Sequence, residues 1–148
     1  MSNASAGTTV HVVVSPGNGV DVPSVLELVE PLPGLPGHVR YVLEPLEDGG
    51  VLFALRSLPS DDKDAPIRLF VVSPSVYFPD YSPTIDADAL AWDAVAESTV
   101  VLVVVHPGRS DQDGPTANLL APIVVDTRTG AAAQVVLDGD WPVRAPVG

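Results

Sequence analysis

The chain's only imidazoles, His11, His38 and His106, each lack a second histidine or a carboxylate four residues away, the spacing that aims two ligands at one metal. No metal site is expected from them. The absence of cysteine excludes disulfides, thiolate ligands and a cysteine nucleophile. Asp111-Gln112-Asp113-Gly114 opens like a calcium loop, but the glycine comes too early and Pro122 stands where the closing bidentate acid belongs. A solvated turn fits it better. Gly17-x-Gly19 is no dinucleotide fingerprint, because Val22 takes the third glycine's place and no helical pattern follows to present its N-terminus to a phosphate. No serine stands in a nucleophile elbow. The expectation is a protein without catalytic residues or cofactor. The alternative is a small-ligand-binding β-barrel, or a hydrolase, whose site is assembled only in the fold.

The residues that stand out suit binding instead. Tyr77, Phe78 and Tyr81 lie within five residues of one another in a proline-bounded segment, Val76-Tyr77-Phe78-Pro79-Asp80-Tyr81. Such aromatics pack a core or anchor a partner, and tyrosine does both well because one end is apolar and the other wet. Asp80, between them, would contact a partner or orient the loop. Asn118 offers an amide that donates and accepts, either to lock a turn onto neighbouring backbone or to face a partner. The acidic stretches holding Asp61, Asp62 and Asp64, and Asp111 and Asp113, read as solvated turns or as docking points for cationic side chains.

With 19 acids against 7 bases, the net charge of −12 acts at longer range than any of these groups. The bases Arg40, Arg56, Lys63, Arg68, Arg109, Arg128 and Arg144 are scattered singly along the chain. Direct nucleic-acid binding, which needs a clustered basic footprint, is not expected. An acidic surface steers basic proteins toward it instead.

These groups must be held by short elements, because 16 prolines and 12 glycines punctuate the whole chain of 148 residues. Valine-rich runs between the breaks read as about eight strands: Val10 to Val14, Val25 to Val29, Val39 to Leu43, Val51 to Leu55, Ile67 to Val72, Thr99 to Val105, Ile123 to Val125 and Gln134 to Leu137. Glycine- and aspartate-rich turns separate them, so the fold class is all-β, a small antiparallel β-barrel-like single domain. One short helix is expected at about residues 85–97, where Ala87, Leu90, Ala91, Ala94 and Val95 recur at helical spacing. The uninterrupted run Thr99 to Val105 is apolar on both faces, so it should be central and covered, with that helix as the candidate cover. Residues 1–8 are expected to be disordered or left over from cloning. No secretory signal is evident, and the longest apolar run, Val100 to Val105, falls far short of the ~20 residues that span a bilayer. A cytoplasmic protein is expected.

The order of segments carries a further signal: Gly34-Leu35-Pro36-Gly37, Leu55-Arg56-Ser57, Phe70-Val71-Val72-Ser73-Pro74, Tyr77 to Tyr81, and Thr116-Ala117-Asn118-Leu119-Leu120-Ala121-Pro122-Ile123-Val124-Val125, then Gly130 and Gln134 to Leu137. This order, over about residues 25–137, resembles the flagellar assembly factor FliW family. The resemblance implies a small, non-enzymatic, cytoplasmic β-barrel-like protein with two protein partners, flagellin and the translational regulator CsrA. Flagellin would hold the protein until export frees it to bind CsrA and relieve repression of flagellin translation. Two departures stand out. His38 follows the Gly34 to Gly37 turn where the family commonly has an aromatic, and the loop Ser60 to Pro66 is longer and more acidic than usual.

Overall fold

A computed structural model describes residues 9–15, 17–30, 32, 39–47, 49–58, 67–78, 81, 99–108, 114–137 and 139–147. Among these residues the chain forms eleven strands and one four-residue helix. In chain order they are β1 (Thr9–Ser15), β2 (Asn18–Pro23), β3 (Val25–Leu28), β4 (Arg40–Pro45), β5 (Leu52–Ser57), β6 (Arg68–Val72), α1 (Pro74–Tyr77), β7 (Thr99–His106), β8 (Thr116–Ala117), β9 (Ile123–Asp126), β10 (Ala131–Gln134) and β11 (Ala145–Pro146). Seven strands close a barrel in the order β7, β6, β5, β4, β3, β10, β9 and back to β7. Its pairs are antiparallel except β3 with β10, which run parallel. Closure leaves no edge among these seven strands, which removes a template for aggregation.

Period-two alternation in the wall strands sorts their side chains between inside and outside. Tyr41 and Leu43 of β4, Phe53 and Leu55 of β5, Val71 of β6 and Val100, Leu102 and Val104 of β7 point into the barrel core. The β1–β2 hairpin, a separate two-stranded sheet, adds Val10, Val12 and Val22 to that core. It is tied to the barrel through Val13, whose N–H donates to Gly50 O at 2.8 Å and whose carbonyl accepts from the Ser73 hydroxyl.

Seven of the eight expected runs fall on β1, β3, β4, β5, β6, β7 and β9. The eighth is displaced: β10 is Ala131–Gln134 and overlaps the expected Gln134 to Leu137 only at Gln134. Three alanines with low strand propensity are held there by pairing on both sides, while Val135 and Leu137 donate to Pro122 O and Leu120 O outside any ladder. Strands β2, β8 and β11 were not expected, the first because turn-forming residues hide it and the others because each has two residues. The helix expected at about 85–97 lies outside the described residues. The helix observed, α1, begins at Pro74, where a missing N–H costs nothing, in the segment read only as aromatic and proline-bounded.

The turn between β9 and β10 shows why one position must be glycine. Gly130 has φ +82°, and a Cβ there would stand 2.6 Å from Val25 O. Its own carbonyl accepts from Glu27 N at 2.9 Å and its N–H donates to Asp126 O at 2.8 Å, so the turn is stitched to β3 at the parallel junction. Asp126 reinforces the turn from below: Oδ1 accepts from Arg128 N at 2.8 Å and Oδ2 from Arg128 Nη2 at 2.9 Å. The Arg128 guanidinium hydrogen bond holds the Asp126 carboxyl below the usual range.

Candidate functional site

Outside the barrel wall a second apolar cluster forms on the far face of β6 and β7. Val72, Val103 and Val105 meet Ala117 of β8, Leu119 and Ala145 of β11 there, with Phe70, Phe78, Tyr81, Trp141 and Val147 packed around them. Strand β7 is thus covered on both faces, as its composition requires, and the cover described on its outside comes from β8, β11 and the aromatics.

Two of the three sequence-selected aromatics belong to this cluster. Phe78 is half-buried on it, and its N–H donates to Pro74 O at 2.8 Å to close α1. Tyr81 packs edge-on against Trp141, with ring centroids 4.8 Å apart and planes at 87°. Its hydroxyl donates to Leu119 O at 2.6 Å, and burial pushes its pKa up to about 12. Tyr77 is different: at 38% exposure it ends α1 facing solvent beside the exposed Val76. The segment therefore carries one accessible aromatic, Tyr77, and two, Phe78 and Tyr81, packed on the outer cluster. Trp141 escaped the sequence reading because it is sixty residues from Tyr81 and carries no local signal of the pairing.

Asn118 locks a turn. Its Oδ1 accepts from Leu120 N and Ala121 N, both at 3.1 Å, while its own N–H donates to Val104 O at 2.9 Å. Gln134 Nε2 donates to Ala121 O at 3.2 Å from the other side. The segment Thr116 to Val125, with Gly130 and Gln134, is therefore a joint that fixes β8 and β9 relative to β7. Of the remaining sequence candidates, Asp61, Asp62, Asp64, Asp80, Asp111 and Asp113 lie outside the described residues. Among the described residues no group of three or more His, Asp or Glu could hold a metal ion. His11 Nδ1 does face Asp21 Oδ1 at 3.5 Å across the β1–β2 hairpin, an exposed pair that register creates and spacing in the chain conceals.

The fold also gathers what the sequence scatters. Arg40, Arg56 and Arg68 stand on the outer face of consecutive strands β4, β5 and β6. Each occupies an outward position of its own strand, but only the register shows that Arg56 and Arg68 are directly opposite, with Arg40 opposite Glu27.

The sequence model of the family described as "FliW protein" matches residues 17–147. A flagellar assembly factor FliW of Heliobacterium modesticaldum is 30% identical over 125 residues, covering 80% of this chain and 77% of the relative. One of Bacillus subtilis is 31% identical over 122 residues, covering 78% and 81%. A crystal structure of the flagellar assembly factor FliW superposes with a TM-score of 0.68 at 20% identity, over 92% of this chain and 95% of the other, and shares the fold.

Proposed function

The chain belongs to the FliW family of flagellar assembly factors, and from that premise we propose that it acts without catalysis, in the cytoplasm, by binding flagellin and, alternately, CsrA. Binding CsrA would relieve its repression of flagellin translation, and binding flagellin would withdraw the protein from that task. The observation that carries this reading is the family match over residues 17–147, nearly the whole chain.

The physical properties of the chain support it. A net charge of −12 favours encounter with a basic RNA-binding regulator such as CsrA. The acidic stretches with Asp61, Asp62 and Asp64, and with Asp111 and Asp113, supply the local charge for that encounter. Tyr77, exposed at the end of α1, supplies an aromatic anchor, and Asp80 follows it in the chain between Phe78 and Tyr81. Asn118 positions the joint next to Tyr81's acceptor, Leu119. Alternation between partners requires only overlap, or a coupling free energy of ~1–3 kcal/mol between separate surfaces. The barrel interior, filled by Phe53, Tyr41 and aliphatic side chains, is a packed core and gives the small-ligand alternative no support.

Calorimetric titration with CsrA and, separately, flagellin of the same organism tests this reading. Micromolar or tighter binding of both is expected, with CsrA binding weakened by salt and by charge reversal at Asp61, Asp62 and Asp64. Failure of both partners to bind at tens of micromolar overturns it.

A further inference from the structure

The register of the wall places one row of outward side chains straight across four strands: Val25 of β3 opposite Val42 of β4, Val42 opposite Arg56 of β5, and Arg56 opposite Arg68 of β6. With strands ~4.8 Å apart, the row is about 14 Å long, apolar at one end and doubly cationic at the other. Like charges directly opposite on adjacent strands oppose one another, so the Arg56–Arg68 pair is an unfavourable element of the free protein. The neighbouring glutamates answer it only in part. Arg40 Nη2 lies 3.3 Å from Glu27 Oε2 and Arg56 Nε lies 3.5 Å from Glu44 Oε1, both pairs exposed. Exposed pairs of this kind contribute ~0–1 kcal/mol and exchange readily for another carboxylate. Arg68 has no carboxylate partner among the described residues; its guanidinium lies over the Phe70 ring, 5.3 Å from the centroid. That stacking engages the face of the planar fork, and a bidentate contact uses its N–H edge.

We propose that this outer face of β3–β6 is a docking surface for an acidic, amphipathic segment of a partner polypeptide. Its carboxylates bridge Arg56 and Arg68, and its aliphatic side chains cover the Val25–Val42 pair, of which Val25 is exposed. Charge complementarity selects this occupant. A bridging carboxylate turns the like-charge pair into two charge-assisted hydrogen-bonded contacts, whereas a basic segment meets two more cations. The chain as a whole carries −12, so two arginines directly opposed across adjacent strands stand out against its long-range preference for basic segments. The surface goes beyond the flagellin and CsrA reading and does not depend on it.

The test uses two short peptides, glutamates flanking a pair of leucines and the same sequence with lysines. Each is titrated into the intact protein at low salt while the arginine Nε–H resonances are followed by NMR. The glutamate peptide should shift the Arg56 and Arg68 signals saturably, and the lysine peptide should leave them in place. Substituting Arg56→Glu with Arg68→Glu should weaken the glutamate peptide by about tenfold or more. The milder Arg68→Gln, at an exposed position, should weaken it in the same direction. Thermal unfolding of both variants confirms that they remain folded. The proposal is overturned if the glutamate peptide leaves both arginines unmoved, if the lysine peptide shifts them equally, or if the folded variants bind the glutamate peptide as well as the parent.

Discussion

The two apolar clusters share a wall and differ in almost everything else. The barrel interior is enclosed by seven hydrogen-bonded strands and filled by aliphatic side chains, Phe53 and Tyr41, nearly all withdrawn from water. The outer cluster is covered, among the described residues, by two-residue strands and a C-terminal stretch, and its aromatics are half-buried. Two tyrosines make the contrast sharp. Tyr41, inside, is 1% exposed with a hydroxyl that has no hydrogen-bond partner among the described residues, whereas Tyr81, outside, directs its hydroxyl onto Leu119 O. Inside the hydrogen-bonded wall the side chains are held by burial, and the Tyr41 hydroxyl is left without a partner among the described residues. On the outer cluster Tyr81 is fixed by an individual hydrogen bond as well as by packing.

The largest effect expected from breaking this contrast is at Phe53, fully buried inside the barrel. Phe53→Ala should cost about 3–5 kcal/mol, read as a lower midpoint in urea unfolding with the slope unchanged. Phe78→Ala, half-buried on the outer cluster, should cost clearly less; equal losses would mean that both clusters carry the fold alike. Gly130→Ala comes next, at about 2–3 kcal/mol, because the left-handed conformation and the approach to Val25 O are both denied. Gly17, also at positive φ but with nothing within 4 Å of its Cβ position, should lose about 1 kcal/mol on the same change.

Asp126 supplies the pH dependence. Its folded-state carboxyl is held below its unfolded value by Arg128, so its contribution is present above the ordinary carboxylate range and lost as pH falls through the folded value. Asp126→Asn should therefore destabilise by about 1–2 kcal/mol at neutral pH, and the gap between variant and parent should narrow in acid, measured by thermal unfolding across pH. The smallest effects separate the tyrosines. Tyr81→Phe should cost about 1 kcal/mol by loss of the Leu119 bond, while Tyr41→Phe should be neutral or slightly stabilising because no bond is lost.

Much of the wall was legible because β-branched residues recur where strands lie, and β7 announced its double burial by the unbroken apolar run Val100 to Val105. β10 was not, since Ala131, Ala132 and Ala133 are strand residues only through their neighbours on both sides. At the candidate site, the aromatic segment was visible as composition, but the division of labour between exposed Tyr77 and anchored Tyr81 depends on Leu119 and Trp141, both far along the chain. Asn118 was legible as a residue able to lock a turn, and the structure places both Leu120 N and Ala121 N on its oxygen. The arginine row was invisible for a plainer reason. Outward parity can be read strand by strand, but which arginine faces which is set by register, and register is a property of pairs of strands.

Hydrogen exchange with and without saturating flagellin tests most directly the claim that the barrel is the scaffold and its outer cluster a working surface. Slowing should concentrate in residues 74–78, 117–121 and 139–147, with the ladder amides of β4 to β7 protected equally in both states. Protection gained mainly within those barrel strands, with the outer cluster unchanged, would contradict it.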